Sequence, residues 1–188
     1  MDLTVNPNEG LIRQAISLLL TGANYGAYRD EQQARMDDIL IRQQASQAIM
    51  ITRDQISTLL AIWSADAIPG LNAEQPYPSP AKMAILRRSR ACLDRLSDIQ
   101  TRILTAPTRT AEVWSRLSTR TTLIEELIRN DIAFLQACEA TKPMSAKLSI
   151  PISFGPAANT EARAFEAALQ EVETSLHNRQ ALLASKGP

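Results

Sequence analysis

Residues 29–67 read RDEQQARMDDILIRQQASQAIMITRDQISTLLAIWSADA, 39 residues with neither proline nor glycine. The stretch is full of Gln, Ala, Arg, Met, Leu and Ile, and all of these but Ile are among the better helix formers. At 1.5 Å rise per residue, Arg29–Ala67 makes one helix on the order of 55–60 Å long. A helix so far beyond the usual ~11–12 residues must be held by partners along most of its length. The rest of the chain is read as those partners.

Ile49, Thr52, Ile56, Leu59 and Trp63 recur at alternating steps of three and four, an a/d seam of the coiled-coil kind. Met36, Ile39, Gln43, Ser46 and Met50 show the same spacing in the N-terminal half, with polar residues on the seam and Gln32, Gln33, Gln44 and Gln47 around it. No period-2 alternation survives more than a few residues, so a strand is excluded. The C-terminal half should anchor the core. The N-terminal half has Met36, Ile39 and Leu40 to bury and should be weakly packed and partly solvated, the alternative being that its amides cross-link to neighbouring helices and fix the register. Arg35, Met36, Ile39, Gln43 and Ser46 are therefore the candidate partner face.

Ahead of this helix, Asn8 is a candidate N-cap and Leu11–Leu20 a short helix apolar on more than one face. Such a helix is either engulfed in the core or released into a bilayer or a partner groove. After it, Pro69, Gly70, Pro76, Pro78 and Pro80 make 68–80 a loop, with Tyr77 expected to seat it on the bundle. Ser79-Pro80 opens a third helix that runs to about Ala106, with Met83, Leu86, Leu93, Leu96 and Ile103 inward. Pro107 breaks it.

A fourth helix runs from Thr108 or Thr110 to about Ala140, ended by Lys142-Pro143. Its wide apolar face includes Val113, Trp114, Ile124, Leu127, Leu135 and Cys138. Asp131 lies in or beside that face and needs a partner if buried. Residues 142–158 are extended and expected to lie along a helix groove. A fifth helix from Asn159 or Thr160 to about Ala184 buries Phe165, Leu169, Val172, Leu176 and Leu183.

The 188 residues, 45% hydrophobic and 4% aromatic, suit one domain over 1–188. The expected fold is all-α, an antiparallel helical bundle of about five helices around the long one. Zero formal net charge gives no global field to draw in nucleic acid. Cys92 and Cys138 are read as small buried hydrophobes, with a helix-to-helix disulfide as the alternative. The first ten residues carry Asp2 and Glu9 and no Lys or Arg, unlike a secretory leader. Leu11–Leu20 is too short to span a bilayer. A soluble cytoplasmic protein is the expectation.

Catalytic residue types are scarce. His177 is the single histidine and stands four residues after Glu173, whereas a di-metal bundle needs Glu-x-x-His twice. Structural zinc needs four Cys and His ligands, and the chain holds three such residues. No nucleophile elbow, phosphate loop or dinucleotide fingerprint occurs. Neither an enzyme nor a cofactor is therefore expected. The reading is a non-catalytic helical interaction module, an adaptor, chaperone-like or secretion-associated protein that binds another protein, with a homo-oligomer as a further option. The alternative is a membrane-acting bundle that inserts its apolar N-terminal helix. It would contact anionic lipid through Arg88, Arg95 and Arg102, a stripe seven residues apart on the third helix.

Overall fold

The computed structural model describes residues 31–68, 77–106, 121–152 and 158–184. These fold as four helices: α1 Glu31–Ala67, α2 Pro80–Thr105, α3 Thr121–Ser145 and α4 Thr160–Ala184. There is no strand among the described residues, and the protein is all-α. No described helix is long and apolar enough to cross a membrane. Arg29, the Leu11–Leu20 segment, residues 69–76 of the proline-rich loop, and Val113 and Trp114 lie outside the described residues.

Interhelical pairings set the directions. The Gln100 amide donates to the Ser46 hydroxyl at 3.3 Å, and the Arg42 guanidinium donates to the Ala106 carbonyl, so α1 and α2 run antiparallel. Thr52 meets Thr141 and Gln55 meets Ser145, so α1 and α3 run the same way. Asp131 pairs with Arg179, while Phe134, three residues on, shares a cavity wall with Leu176, three residues back. Helices α3 and α4 are thus antiparallel. All four helices contribute to one core. Ile49, Ile56, Leu96, Ile99, Ile103, Leu127, Phe134, Phe165, Leu169 and Val172 are its large, fully enclosed helical members, joined by Ile152 from the segment after α3.

The helix starts have local causes. Ser79 Oγ accepts from the Lys82 amide at 3.3 Å with Pro80 in the first turn, where a missing N–H costs nothing. Asn159 Oδ1 accepts from the Ala162 amide at 2.8 Å, opening α4 at Thr160. At the end of α3 the expectation needs correction: the helix passes through Pro143 to Ser145. In the last turn Pro143 forgoes a single helical bond, and the turn is closed by other groups. The Ser145 hydroxyl donates to Lys142 O at 2.9 Å, and the Lys147 and Leu148 amides reach Met144 O and Ser145 O, each at 3.1 Å.

Beyond α3 the chain lies against α2 as expected for an extended segment. Leu148 and Ile152 are buried, and the Ile152 amide donates to Ser89 Oγ at 3.4 Å. Tyr77 departs from expectation. It is 83% exposed and does not seat its loop. The entry to α2 is held by the Ser79 cap, which needs no side-chain anchor ahead of it.

Candidate interaction face

The two halves of α1 do not share one seam. Following Ile49–Trp63 back with the same alternating steps leads to Ala45, Arg42 and Asp38. It does not lead to Ser46, Gln43 and Ile39, which stand one residue, about 100°, further round. The structure follows the first series. Asp38, Ala45, Ile49, Thr52 and Ile56 are each no more than 1% exposed, and Arg42 is buried with them. The N-terminal half of α1 is therefore firmly packed, through Ile41, Ala45 and Ala48. The weak packing expected there is corrected. Charged residues at 38 and 42 disguised the seam, because Asp and Arg are almost never enclosed unless paired.

They are paired. Arg42 Nη2 lies 2.6 Å from Asp38 Oδ2, one turn away. Arg179 of α4 places Nη2 at 2.8 Å from Asp38 Oδ1 and Nε at 2.6 Å from Asp131 Oδ1. These two carboxylates and two guanidiniums balance in charge, and their side chains are at most 11% exposed. The partner that Asp131 required is Arg179. Spacing could not reveal it, since Arg179 comes from another helix. A small cavity of about 10 Å³ beside them, walled by Arg42, Arg179, Phe134 and Leu176 among others, has room for roughly one water molecule.

The opposite side of α1 is open. Arg35, Met36, Ile39 and Gln43 are exposed, Met36 by 59% and Ile39 by 50%. Ser46 is not part of this face: it is buried and accepts the Gln100 hydrogen bond from α2. In its place the structure adds Leu40, Gln47 and Met50, all exposed. The usable stripe is thus Met36, Leu40, Gln43, Gln47, Met50 and Asp54, with Ile39 beside it. Its 4-3-4-3-4 spacing was available in the sequence, but the other series was read instead.

The arginines of α2 do not form one free stripe. Arg88 is exposed. Arg95 is clamped by Glu173 of α4, Nε to Oε1 at 3.2 Å and Nη2 to Oε2 at 2.8 Å, and those hydrogen bonds hold its pKa above the ordinary value. Arg102 stands 3.8 Å from Asp98 on its own helix. His177 is exposed, and no group of His, Cys, Asp or Glu able to hold a metal ion occurs among the described residues. Cys92 and Cys138 are buried free thiols, and burial raises the pKa of both, that of Cys92 to about 12. An open groove between α3 and α4 is lined by Glu126, Arg129, Asn130 and Asn178 among others, and neither Asp131 nor His177 reaches it.

Comparison with known protein families, with curated proteins and with solved structures finds no match in any of the three.

Proposed function

We propose that the protein is a non-catalytic helical interaction module whose long helix α1 presents a docking face to another protein chain. The observation that carries this reading is the line of exposed apolar residues Met36, Ile39, Leu40 and Met50 on a helix whose opposite side is core. Apolar side chains standing together in water favour being covered, at roughly 25 cal/mol per Å² removed from solvent. Gln43 and Gln47 along the same line supply polar contacts that orient a partner.

In this proposal the whole of 1–188 forms one bundle of about five helices, with Leu11–Leu20 as the helix before α1. The a/d-type stripe docks in coiled-coil fashion. A cytoplasmic setting suits two buried free thiols. The membrane-acting alternative draws less support, because Arg95 is committed to Glu173 and only Arg88 of the three arginines is well exposed.

The test is affinity capture from the source cell with the wild-type chain and with Ile39→Asp. A genuine docking face loses its stoichiometric partner in the variant while the thermal midpoint moves by less than about 2 °C, as expected of an exposed substitution. Retention of the same partner by Ile39→Asp would remove this face from the binding surface.

A further inference from the structure

The sulfur atoms of the chain are unevenly placed. Among the described residues, Met36 and Met50 are exposed, by 59% and 40%. Met83 and Met144 are half-buried, Met144 against the core, and Cys92 and Cys138 are buried. Both exposed sulfurs therefore stand on α1, and on the face of it read as the docking surface. They lie about 21 Å apart along the helix, with Ile39, Leu40, Gln43 and Gln47 between them.

We propose that Met36 and Met50 are oxidation sites through which a peroxide closes the α1 face to its partner. The inference rests on the reading of α1 as a docking face and adds its regulation. The thioether sulfur attacks one peroxide oxygen, an S–O bond forms, and the O–O bond breaks. Sulfur loses two electrons to become the sulfoxide, and the second oxygen leaves as water, or as an alcohol from an organic hydroperoxide. A thioether has no proton to lose and reacts at any ordinary pH. The thiols compete poorly, because the thiolate is their reactive form and burial raises the pKa of both.

Oxidation turns a flexible apolar side chain into a polar one. On the free chain the new S=O group faces water, and the fold hardly registers it. Beneath a partner the same group must give up its water, which is costly unless the partner supplies a donor. Of the apolar members of the face, Ile39 and Leu40 alone stay unchanged. A partner already seated shields both sulfurs, so oxidation acts on the free chain and blocks rebinding. Methionine sulfoxide reductases restore the thioether, which makes the change reversible.

The experiment treats the full chain with dilute hydrogen peroxide and quenches with free methionine. Peptide mass mapping is expected to find Met36 and Met50 oxidised at least about tenfold faster than Met83 and Met144. The thermal midpoint moves by less than about 2 °C. Leucine forms helix as readily as methionine and carries no sulfur, so Met36→Leu with Met50→Leu keeps the apolar face and removes the reaction. On a phenyl column, a defined apolar probe, oxidised wild type elutes earlier than untreated protein, and the leucine variant does not shift. In affinity capture from the source cell, oxidised wild type loses the partner that untreated wild type holds. The oxidised leucine variant keeps it, and reductase treatment of the oxidised wild type restores it.

Oxidation of Met83 or Met144 as fast as Met36 and Met50 would overturn the proposal. So would loss of the partner by the oxidised leucine variant, which assigns the effect to other groups. Retention of the partner by oxidised wild type rejects the switch as well. If Ile39→Asp still loses that partner, the docking face stands and the oxidation device alone falls. If Ile39→Asp keeps it, or untreated wild type captures no partner, both readings fall.

Discussion

Arg179 of α4 lies 2.6 Å from Asp131 of α3, Nε to Oδ1, with both side chains at most 6% exposed. The same guanidinium reaches Asp38 of α1 at 2.8 Å. One side chain thus joins three helices, and it does so inside the core, where attraction between ions must offset a large loss of hydration. Such a cluster adds little net stability compared with apolar packing, but losing one member is costly.

Arg179→Met should therefore destabilise the fold by about 3–5 kcal/mol, read as a lowered urea midpoint. It takes the Arg179 countercharge from Asp131 and removes one of the two cations from Asp38. Arg179→Met combined with Asp131→Leu should cost less than Arg179→Met alone, because no carboxylate then faces the gap on α3. Additive losses in that double variant would show that the pair does not act as a unit.

Thr52 and Thr141 offer a second coupling. Their hydroxyl oxygens are 2.7 Å apart, while each also lies within bonding distance of its own helix, Ala48 O at 3.0 Å and Cys138 O at 2.7 Å. Each hydroxyl has one proton, so one donates to its helix and the other donates across to it. Thr52→Val should cost about 1–2 kcal/mol, since it leaves a buried hydroxyl with fewer partners. Thr52→Val with Thr141→Val should cost less than the sum of the two singles. Equal and additive effects in chemical denaturation would rule out the cross-helix bond.

The buried thiols give a pH dependence with a defined sign. Burial raises Cys92 from 9.0 to about 12 and pushes Cys138 upward as well, so the folded chain keeps protons that the unfolded chain releases above pH 9. The unfolded state then binds fewer protons, and stability falls as pH rises, by up to about 1.4 kcal/mol per pH unit for each thiol. Between about pH 9 and pH 11, Cys92→Ala with Cys138→Ala should lose up to about 2.7 kcal/mol per unit of that slope. A parent and variant with the same slope would contradict thiol burial. Below pH 8 the native thiols should react with maleimide only as fast as the bundle opens.

The Arg95–Glu173 clamp closes α2 onto α4 at a half-buried position. Glu173→Gln should cost about 0.5–1 kcal/mol, with a smaller loss at high salt. The exchange Arg95→Glu with Glu173→Arg should restore most of it, because bidentate geometry survives reversal. Calorimetry at two ionic strengths measures both. A loss independent of salt would assign the contribution to packing of the arginine stem instead.

Much of the fold was legible because helix signals are local. Ser79-Pro80 and Asn159-Thr160 mark helix starts by groups within three residues of each other, and both starts fall where expected. The stripes of α2 and α4 also came through, since Leu86, Leu96, Ile103, Phe165, Leu169, Val172, Leu176 and Leu183 recur at helical spacing and are buried. The candidate face was half legible. Met36, Ile39 and Gln43 are exposed, Ser46 is not, and Leu40 and Met50 belong beside them.

The errors on α1 share a cause. Whether Asp38 and Arg42 can sit on a core seam depends on Arg179, which is 137 residues further along than Arg42. Whether Ser46 is inward depends on Gln100 of α2. Neither dependence leaves a trace in local periodicity.

Read by itself, the amino-acid order determined that residues 31–67 are helical, and that 80–105 and 160–184 are helices with starts fixed by Ser79-Pro80 and Asn159. Propensity, caps and breakers act over one or two turns, so they need no tertiary information. Tertiary structure alone decided which side of the long helix faces the core. Two series of the same three-and-four spacing run along it about 100° apart, and hydrophobicity favoured the wrong one in the N-terminal half. Arg179 and its neighbours made the charged series the inner one, by supplying buried Asp38 with a countercharge that only the assembled helices bring within reach.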